Sequence, residues 1–558
     1  MHMGIYLFLL LFALMFSGMP IALGVGMAAI LTTGIWGQIG LELIFQQYYQ
    51  GVNSFALLAV PLFMLAGELM TRLGLVDDII LLAKLLVGRM RGSLAQINIV
   101  ASVFFATMSG SAVADTAAIG GMLLPAMEKE GYDKEFSVAV TAASSIIGPI
   151  IPPSITMIVY GSLMSNVPTG AMFAGGIVPG ILIGLGEMLL VYYFSRKRNY
   201  PRETKRYTAK EASSIAVRTL PAVLTPVIIV VAIFSGFCSA TEAACIANIW
   251  VLITGALYYR RLNLKVFGES VIVAMETAGA ILLLNAAAKP LSYLIAMAQL
   301  PTMISEAFTS FTSSKIVILL LLNVVLLFLG CFMECTANVL IFAPIFAPLA
   351  ISFGVDPLQF GLIFVVNVVC GICTPPFGPT IFLAAGIAKA PLERCMKAII
   401  PFCVVQIIVI LLISYIPALT LTLPRMLGLY YSMGTVEEAV CRFVLALQWC
   451  NIPETVRNCA HRCFTDTVAC MISGGKSIQF RAAADAVGRN STSRHYLAGQ
   501  GLEQVTLYDS VLLNACAAHS EEYNDLFFGQ PGHPSAVLVP VVLGLGLCRN
   551  MPGASVME

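Results

Sequence analysis

The sequence predicts an all-α polytopic membrane protein with about eleven transmembrane helices and two re-entrant helical hairpins arranged as inverted repeats. Three observations lead to this fold class. Hydrophobic residues make up 58% of the 558 residues and charged residues only 11%, which is typical of chains that cross a membrane many times. Apolar segments of spanning length recur along residues 1–430. Two stretches about 220 residues apart share one pattern of interruptions.

Eleven apolar segments are long enough to be read as spans. They lie at about 3–18, 20–37, 51–71, 77–90, 136–165, 171–195, 219–238, 241–259, 271–298, 358–388 and 397–422. The segment at 77–90 is short, which is also compatible with a tilted or interfacial helix. Two further segments, at about 94–127 and 315–350, have small and polar residues in the middle. We predict that each forms a hairpin that enters and leaves the membrane on the same side.

The basic loops predict the orientation, because Lys and Arg accumulate in cytoplasmic loops. Residues 196–218 carry eight Lys or Arg residues and two acids, so this loop is expected in the cytoplasm. Arg260, Arg261 and Lys265 mark a second cytoplasmic turn two spans later. Five predicted spans separate the two hairpins, and an odd number means that they open to opposite sides. Inverted repeats of this kind permit alternating access around one midplane site.

The two hairpins and the spans after them carry matching interruptions. The first hairpin contains FFATMSGSAVADTAAIGGMLLPAM at 104–127, and the second contains LFLGCFMECTANVLIFAPIFAP at 327–348. In each, an acid lies ten residues before a proline: Asp115 before Pro125 and Glu334 before Pro344. A glycine then lies four residues before a Pro-Pro pair in each following span. Interruptions at matching places in two halves are the best sequence indication of a transporter's binding site.

The candidate ion- and substrate-binding residues are the hydroxyls, acids, glycines and prolines of these interruptions. They are Ser109, Gly110, Ser111, Asp115, Thr116, Gly148, Pro152, Pro153, Ser154, Glu334, Thr336, Asn338, Gly371, Thr374, Pro375, Pro376 and Gly378. Unwound backbone rich in oxygen suits Na⁺, and half-helix N-termini suit a carboxylate. Two structural alternatives stay open. Small residues also serve close packing, and either acid is also compatible with an N-cap at its hairpin tip.

Composition excludes several other classes of function. The net charge of +1 gives no basis for binding nucleic acid. The chain has no Walker-type phosphate loop, so we expect transport driven by an ion gradient, with no cofactor. A channel would not need two broken hairpins of opposite orientation. The apolar N-terminus lacks a preceding basic region and is predicted to be the first span rather than a signal peptide.

Residues 1–427 resemble the large membrane subunit, of the DctM type, of TRAP (tripartite ATP-independent periplasmic) transporters. The stretches that resemble it are MSGSAVADTAAIGGMLLPAM at 108–127, IGPIIPPS at 147–154, SATEAA at 239–244 and GICTPPFGPTIF at 371–382. The resemblance implies an elevator mechanism in the bacterial inner membrane with Na⁺ as coupling ion. It also implies a small four-span membrane subunit and a periplasmic binding protein that delivers an organic acid, such as a C4-dicarboxylate.

The resemblance also implies where the ligands bind. The family's ion and substrate sites lie at the hairpin tips and the facing broken spans. These sites fall here on Ser109, Gly110, Ser111, Asp115, Thr336, Gly371 and Thr374. The second hairpin departs from the family, because Glu334-Cys335 stands at a place where Asp-Pro is frequent.

The composition changes near residue 430, where the long apolar runs stop and seven of the fifteen cysteines follow. Residues 433–558 resemble the beginning of the 2-methylcitrate dehydratase / cis-aconitate decarboxylase (MmgE/PrpD) family. The stretches are IPETVRNCAHRCFTDTVACMISG at 452–474, LLNACAAHSEEYND at 512–525 and HPSAVLVPVVLGLG at 533–546. The resemblance implies a mainly helical, incomplete segment in which Asp525 and His533 are vestigial active-site positions. We therefore do not expect an enzyme.

Two alternatives to the tripartite transporter are considered. One is a single-component Na⁺/dicarboxylate carrier that needs no partner chains. The other is a membrane-tethered remnant of a lyase or dehydratase, in which the membrane part is only an anchor. Eleven spans with duplicated broken hairpins are far more than an anchor needs. Neighbouring genes for a four-span protein and a secreted binding protein would favour the tripartite reading.

Overall fold

The computed structural model describes residues 2–36, 40–164, 166–203, 207–300, 314–430, 454–487, 495–497, 501–503, 505–520 and 539–543. The chain divides into two compact units, Met1–Ser432 and Met433–Glu558. This division lies at the change of composition near residue 430. The membrane unit is considered first.

The described part of the membrane unit is built from α-helices, with short 3₁₀ turns at Phe55–Leu58 and Ser145–Ile147. The helices are α1 His2–Phe16, α2 Ile21–Trp36, α3 Leu41–Val52, α4 Ala59–Leu73, α5 Leu75–Val87, α6 Ser93–Ser109, α7 Ala112–Lys129, α8 Lys134–Ser144, α9 Ile155–Leu163, α10 Thr169–Lys197, α11 Ala209–Phe234, α12 Ala240–Leu257, α13 Leu264–Met297, α14 Lys315–Phe332, α15 Cys335–Ser352, α16 Pro357–Gly371, α17 Pro379–Ala388, α18 Leu392–Tyr415 and α19 Ala418–Met426.

Most predicted segments have a helical counterpart, with three differences. Helix α3 was not predicted, because it is amphipathic and short rather than a long apolar run: Phe45 and Tyr49 are exposed and Ile44 is buried. The predicted span 219–238 begins ten residues earlier, at Ala209. The predicted span 397–422 is two helices, α18 and α19, separated at Ile416 and Pro417.

Eight helical segments of the described chain are long and apolar enough to cross a membrane. Four shorter apolar helices, among them α2 and α16, accompany them. An all-helical membrane unit is therefore confirmed, while the number of eleven spans and the side on which each hairpin opens stay predictions.

Both predicted hairpins are present. The first is α6 and α7, joined at Gly110 and Ser111, and the second is α14 and α15, joined at Met333 and Glu334. Gly110 adopts a left-handed φ of +59°, a conformation that glycine reaches without steric cost. The spans after the hairpins are broken helices. Helices α8 and α9 form the first broken helix and α16 and α17 the second, and the segments between them, residues 145–154 and 372–378, are called the first and second break.

The helices of the membrane unit pack as two groups. Helices α1–α5 and α11–α13 contact one another extensively and form a scaffold group. The hairpins, the broken helices and α10, α18 and α19 form a hairpin group, which packs on the scaffold group chiefly where α5 meets α6 and α13 meets α15. Within the hairpin group the two halves interlock. Helix α7 packs on α8 of its own half and α17 of the other, and α15 packs on α16 and α9 in the same way.

The described part of the second unit contains three helices of ten or more residues, a helical segment at 539–543 and one strand pair. The helices are α20 Glu454–Gly474, α21 Ile478–Val487 and α22 Leu507–Ser520. Strands β1 His495–Leu497 and β2 Gly501–Glu503 pair antiparallel, with Tyr496 opposite Leu502. Met471 and Ala518 lie in one small apolar cluster, and Phe480 and Leu513 lie in another. The predicted positions Asp525 and His533 lie outside the described residues.

Candidate ion and substrate site

The two halves of the hairpin group correspond at a constant spacing of 223 positions. Ser111 is the N-cap of α7, and Glu334, 223 residues later, is the N-cap of α15. The same spacing relates Gly148 to Gly371 and the pair Pro152-Pro153 to Pro375-Pro376. Each pair of prolines is joined by a cis peptide bond. The duplication that the sequence indicated is therefore present in the helices and their ends.

This correspondence corrects the pairing of Asp115 with Glu334. Glu334 matches Ser111, whereas Asp115 matches Asn338, one turn inside the helix. The proline that matches Pro125 is Pro348, four residues after Pro344, and both lie inside α15. The two acids therefore have different positions and different roles in their hairpins.

Glu334 holds the tip of the second hairpin as an N-cap. Its carboxylate accepts hydrogen bonds from the backbone N–H groups of Thr336 at 2.8 Å and Ala337 at 3.1 Å. The Thr336 hydroxyl donates to the same carboxylate at 3.0 Å. An acid at a helix N-terminus also interacts favourably with the helix dipole. The capping role that was the alternative for Glu334 accounts for its position, and its side chain is at an exposed site.

Asn338 ties the same tip together from inside. Its side-chain amide is completely buried and its Nδ2 atom donates toward the carbonyl oxygens of Met333 at 3.1 Å and of Leu329 and Glu334 at 3.3 Å. An amide is suited to this position because it offers two N–H donors to carbonyl acceptors.

Asp115 occupies the matching position in the first hairpin. Its carboxylate accepts hydrogen bonds, whereas the Nδ2 group of Asn338 donates them. Its side chain is completely buried, and neither carboxylate oxygen has a hydrogen-bond partner among the described residues. Asn338 donates to the carbonyls of Met333 and Glu334. In the first hairpin, 223 residues earlier, the corresponding carbonyls are those of Gly110 and Ser111. A carboxylate can only accept, so it cannot bond to these carbonyls as Asn338 does. A cation that binds both kinds of oxygen would satisfy them.

A buried polar ladder lies beside Asp115, between α6 and the first broken helix. Asn98 Nδ2 donates to Thr141 Oγ1 at 2.7 Å, and Ser144 Oγ donates to Asn98 Oδ1 at 3.2 Å. Ser102 Oγ donates to Ser144 Oγ at 3.2 Å. The Ser102 hydroxyl is also near enough to the Asp115 carboxyl to interact with it, but it does not have the geometry of a hydrogen bond. The ladder is therefore connected to Asp115 through Ser102. The sequence reasoning missed this ladder, whose signal was Asn and Ser residues repeated along apolar helices.

The second half has a counterpart ladder built from amides. Asn367, which matches Ser144 in the 223-residue spacing, donates to Asn323 Oδ1 at 2.9 Å. Asn323 Nδ2 in turn donates to Ser414 Oγ at 3.0 Å. These groups connect α14, α16 and α18. The amides bond to one another and carry no charge.

The first break is completely covered. Ser154 caps α9: its hydroxyl donates to the carbonyl of Pro149 and accepts from Met157 N at 3.2 Å. Gly148, Pro152 and Pro153 are also buried. Thr116, the remaining polar candidate of this half, donates its hydroxyl to Ala112 O at 2.9 Å within α7. The side chain of Ser109 lies outside the described residues.

The second break is partly open. Thr374 and Pro375 are half-buried, and Pro376 is exposed. The Thr374 hydroxyl donates to Cys370 O at 2.8 Å. Gly378 adopts a left-handed φ of +41° just before α17 begins. The two breaks therefore differ in accessibility in this structure.

Gly371, predicted as a ligand-binding residue, allows the second hairpin and the second broken helix to pack closely. A Cβ atom at Gly371 would lie 2.5 Å from Gly330 Cα and 2.8 Å from Leu327 O. The second hairpin and the second broken helix thus touch backbone to backbone. Only glycine fits on both sides of such a crossing.

Four half-helices begin at these tips and breaks. Helices α7 and α15 start at the hairpin tips, and α9 and α17 start at the breaks. A helix N-terminus carries a partial positive charge and favours anions. No group of three or more His, Cys, Asp or Glu side chains suited to a metal ion occurs among the described residues. The tips and breaks therefore offer backbone, hydroxyl and carboxylate oxygens as ligands.

Comparisons with known proteins identify the membrane unit. Residues 8–419 match the sequence profile of the family described as "Tripartite ATP-independent periplasmic transporter, DctM component". The chain belongs to the DctM family of TRAP transporter permeases. Residues 438–558 match the MmgE/PrpD N-terminal domain. Both resemblances seen in the sequence are confirmed.

Named relatives of the DctM family support this assignment. The chain is 35% identical to the sialic acid TRAP transporter large permease protein of Vibrio cholerae over 74% of this chain and 96% of that protein. It is 30% identical to the C4-dicarboxylate TRAP transporter large permease protein of Rhodobacter capsulatus over 76% and 100% of the two chains. It is 37% identical to an isethionate TRAP transporter permease of Oleidesulfovibrio alaskensis, over 72% of this chain but only 63% of that protein.

A solved structure shares the fold. The YdaH transporter of Alcanivorax borkumensis, whose crystal structure is described as having an unusual topology, superposes with a TM-score of 0.50 at 16% identity. The match covers 67% of this chain and 88% of that chain. This DctM-family protein is thus a multi-pass membrane permease subunit. Membership of the family implies a small membrane subunit and a periplasmic binding protein as partners, and the bacterial inner membrane as its location.

Proposed function

We propose that this DctM-family subunit imports a small organic acid together with Na⁺, and that the cation binds at the first hairpin tip. The observation that carries the proposal is the buried Asp115 carboxylate without a hydrogen-bond partner among the described residues. An uncompensated buried carboxylate is strongly unfavourable. A hard cation with oxygen ligands supplies the missing charge and bonds to the tip carbonyls at the same time.

The substrate is proposed to be an anion because the relatives named above transport sialic acid, C4-dicarboxylates or isethionate, which share an acidic group. The four half-helix N-termini favour an anionic group. Ser109, Gly110, Ser111 and Thr374 are the proposed contacts, together with the other tip and break residues of the sequence prediction. Because the site contains few fixed charges, we propose that the binding protein contributes much of the selectivity for a particular acid.

The proposed mechanism is an elevator movement of the hairpin group relative to the scaffold group. Its support is the packing of the helices into these two groups and the interlocked halves of the hairpin group. Because each hairpin contacts both broken helices, the site moves as one body. Cation binding at the tip would relieve the Asp115 carboxylate and so favour the closed tip that permits movement.

The test is uptake by proteoliposomes that contain the full chain with the small membrane subunit and the binding protein. Radiolabelled C4-dicarboxylates, sialic acid and isethionate are compared with an inward Na⁺ gradient and with K⁺ at equal ionic strength. We expect uptake of an acid that requires both Na⁺ and the binding protein. Uptake that is equal in Na⁺ and K⁺ would contradict the proposed coupling, and uptake without the binding protein would indicate a single-component carrier.

A further inference from the structure

Glu187 is a buried acid far in sequence from both hairpins. It lies in α10, and its side chain is completely inaccessible to solvent. Its Oε1 atom accepts a hydrogen bond from Gln406 Nε2 at 3.0 Å, while Oε2 has no partner among the described residues. A polar group buried in this way is costly, and an acid inside a membrane-spanning helix usually has a function.

A chain of hydrogen bonds connects Glu187 to the second break. Gln406, on α18, uses its amide nitrogen for Glu187 and its amide oxygen to accept from Cys373 Sγ at 3.1 Å. Cys373 precedes Thr374, the candidate ligand of the break. The Cys403 thiol, also on α18, lies 3.9 Å from the Cys373 carbonyl oxygen. The Cys373 thiol has a second, more distant acceptor in the Cys370 carbonyl oxygen at 3.3 Å. One side chain thus separates Glu187 from the segment that carries Thr374.

The break needs such support because it lacks the regular hydrogen bonds of a helix. Irregular backbone at membrane depth is tolerated only where neighbouring groups satisfy it. Glu187 also determines which way the Gln406 amide points. With a carboxyl acceptor on one side, the NH₂ group of Gln406 turns toward Glu187 and its oxygen turns toward Cys373. Without that acceptor, the Gln406 amide can adopt either orientation, and only one of them places its oxygen where it accepts from Cys373 Sγ.

The first break is supported differently. It packs directly against α10, where a Cβ atom at Gly176 would lie 2.4 Å from Ile150 O. Ser154 supplies the remaining support from within the break. The first break is therefore packed directly against the backbone of α10. The second break is held by side-chain hydrogen bonds from Gln406 of α18 and from Thr380 of α17, whose hydroxyl donates to the Ile372 carbonyl at 3.1 Å.

We infer that Glu187 is a positioning residue of the second break, which acts through Gln406 to hold Cys373 and Thr374 in place for the transported ligands. The role of Thr374 as a ligand rests on the proposed function, but the positioning of the break does not. The role requires a hydrogen-bond acceptor at residue 187 rather than a negative charge. A glutamine at this position can accept from Gln406, whereas a leucine cannot.

The test measures alkylation of Cys373 by N-ethylmaleimide in the purified full chain, quantified by mass spectrometry. Cys245, which is exposed, is the internal reference. The variants are Glu187→Leu, Gln406→Leu and Glu187→Gln, with Ser195→Ala as a matched change of another buried polar group on α10. We expect Cys373 to react about tenfold faster in both leucine variants, because losing the bond favours local opening. The glutamine and alanine variants should react like the wild type.

Three results would overturn the inference. Unchanged Cys373 reactivity in both leucine variants would show that the chain of bonds does not hold the break. Equal acceleration in Glu187→Gln and Glu187→Leu would show that charge matters instead. Additive acceleration in the double leucine variant would show that the two residues act separately, since members of one network are not additive. If one leucine variant fails to fold, the other carries the test.

Uptake by the same variants, measured with and without Na⁺, separates this inference from the proposed function. We expect both leucine variants to need about tenfold more of the transported acid for half-maximal uptake at saturating Na⁺, because Thr374 is a proposed contact of the acid, with the glutamine variant unchanged. If the wild type shows no Na⁺ response, the proposed coupling fails, but the Cys373 measurement still decides whether Glu187 positions the break.

Discussion

The first and second hairpins differ most at two positions that the 223-residue spacing matches. At the cap, the first hairpin has Ser111 and the second has Glu334. One helical turn later the acid is in the first hairpin, which has Asp115, and the neutral residue is in the second, which has Asn338. At the second tip, Glu334 and the Nδ2 group of Asn338 bond to the tip backbone, and a neutral oxygen, Asn338 Oδ1, has no partner among the described residues. At the first tip, both oxygens of a carboxylate have none.

The two halves therefore repeat the same arrangement of helices but have different side chains at their hairpin tips. In the second tip, charge is placed at the surface of the helix end and the buried position is neutral. In the first tip, the acid is at the buried position in the first turn of α7, where the helix dipole and a bound cation would both compensate its charge. The first tip is therefore the better candidate for a cation site, and the second is the better candidate for a structural element.

The largest expected effect is that of Asp115→Asn, which gives the first hairpin the residue of the second. Na⁺-dependent uptake should be abolished, because the cation loses its only charged ligand at the tip. Membrane insertion should be unaffected, since an amide is less costly to bury than a carboxylate. The measurement is uptake in Na⁺ and K⁺ together with the amount of protein in the membrane. Full Na⁺-dependent uptake in this variant would assign Asp115 a structural role only.

The second largest effect is expected at the backbone crossing of the second half. Gly371→Ala should destabilise the protein by about 1–3 kcal/mol, because the new methyl group meets the Gly330 backbone and cannot be accommodated by rotating a side chain. Gly386→Ala is the matched control in the same broken helix, since no atom lies within 4 Å of the added carbon. Thermal unfolding of both purified variants gives the comparison. Equal stability of the two would contradict the close crossing.

The converse exchange, Asn338→Asp, should weaken the second tip. The substitution removes the donor to the carbonyls of Met333 and Glu334 and leaves a buried carboxylate, at a cost of about 1–3 kcal/mol. Uptake, where protein is recovered, should still depend on Na⁺, because the first tip is intact. Thermal unfolding and uptake are both measured. A variant as stable as the wild type would indicate that the three bonds of Asn338 contribute nothing.

The smallest effect is expected at the caps. Ser111→Ala should cost about 1 kcal/mol of stability, as N-cap substitutions usually do. Glu334→Gln should cost less, because the amide oxygen still accepts from the N–H groups of Thr336 and Ala337. Chemical or thermal unfolding of the two variants measures the difference. A larger loss in Glu334→Gln than in Ser111→Ala would mean that the charge of Glu334, rather than its cap, stabilises the second tip.

Much of the fold could be predicted because membrane-spanning helices correspond to long apolar runs in the sequence, and the hairpins and breaks correspond to repeated interruptions of such runs. The positions of the hairpins, the breaks and the change at residue 430 follow from these patterns. Helix α3 could not be found in this way, since a short amphipathic helix has no long apolar run. The relative orientation of the hairpins and the number of spans stay predictions.

The segments that form the candidate site could be predicted from the sequence, but the role of each residue in them could not. Pairing acid with acid was wrong, because Pro344 and Pro348 are equally compatible with Pro125 until the N-caps fix the register. Asn98 and Asn367 are visible in the sequence as amides within apolar helices, but their partners lie on other helices, which no local pattern identifies. Glu187 did leave a signal, as a single acid in an apolar span, and this signal was overlooked.

The most direct test of the cation site compares the unfolding temperature of the purified full chain in NaCl and in KCl at equal ionic strength. A bound ligand stabilises the folded state by mass action, by about 2.7 kcal/mol at one hundred times its dissociation constant. We expect Na⁺ to raise the unfolding temperature of the wild type and of Asn338→Asp but not of Asp115→Asn. An equal response to Na⁺ and K⁺ in the wild type, or an unchanged Na⁺ response in Asp115→Asn, would contradict the proposed cation site.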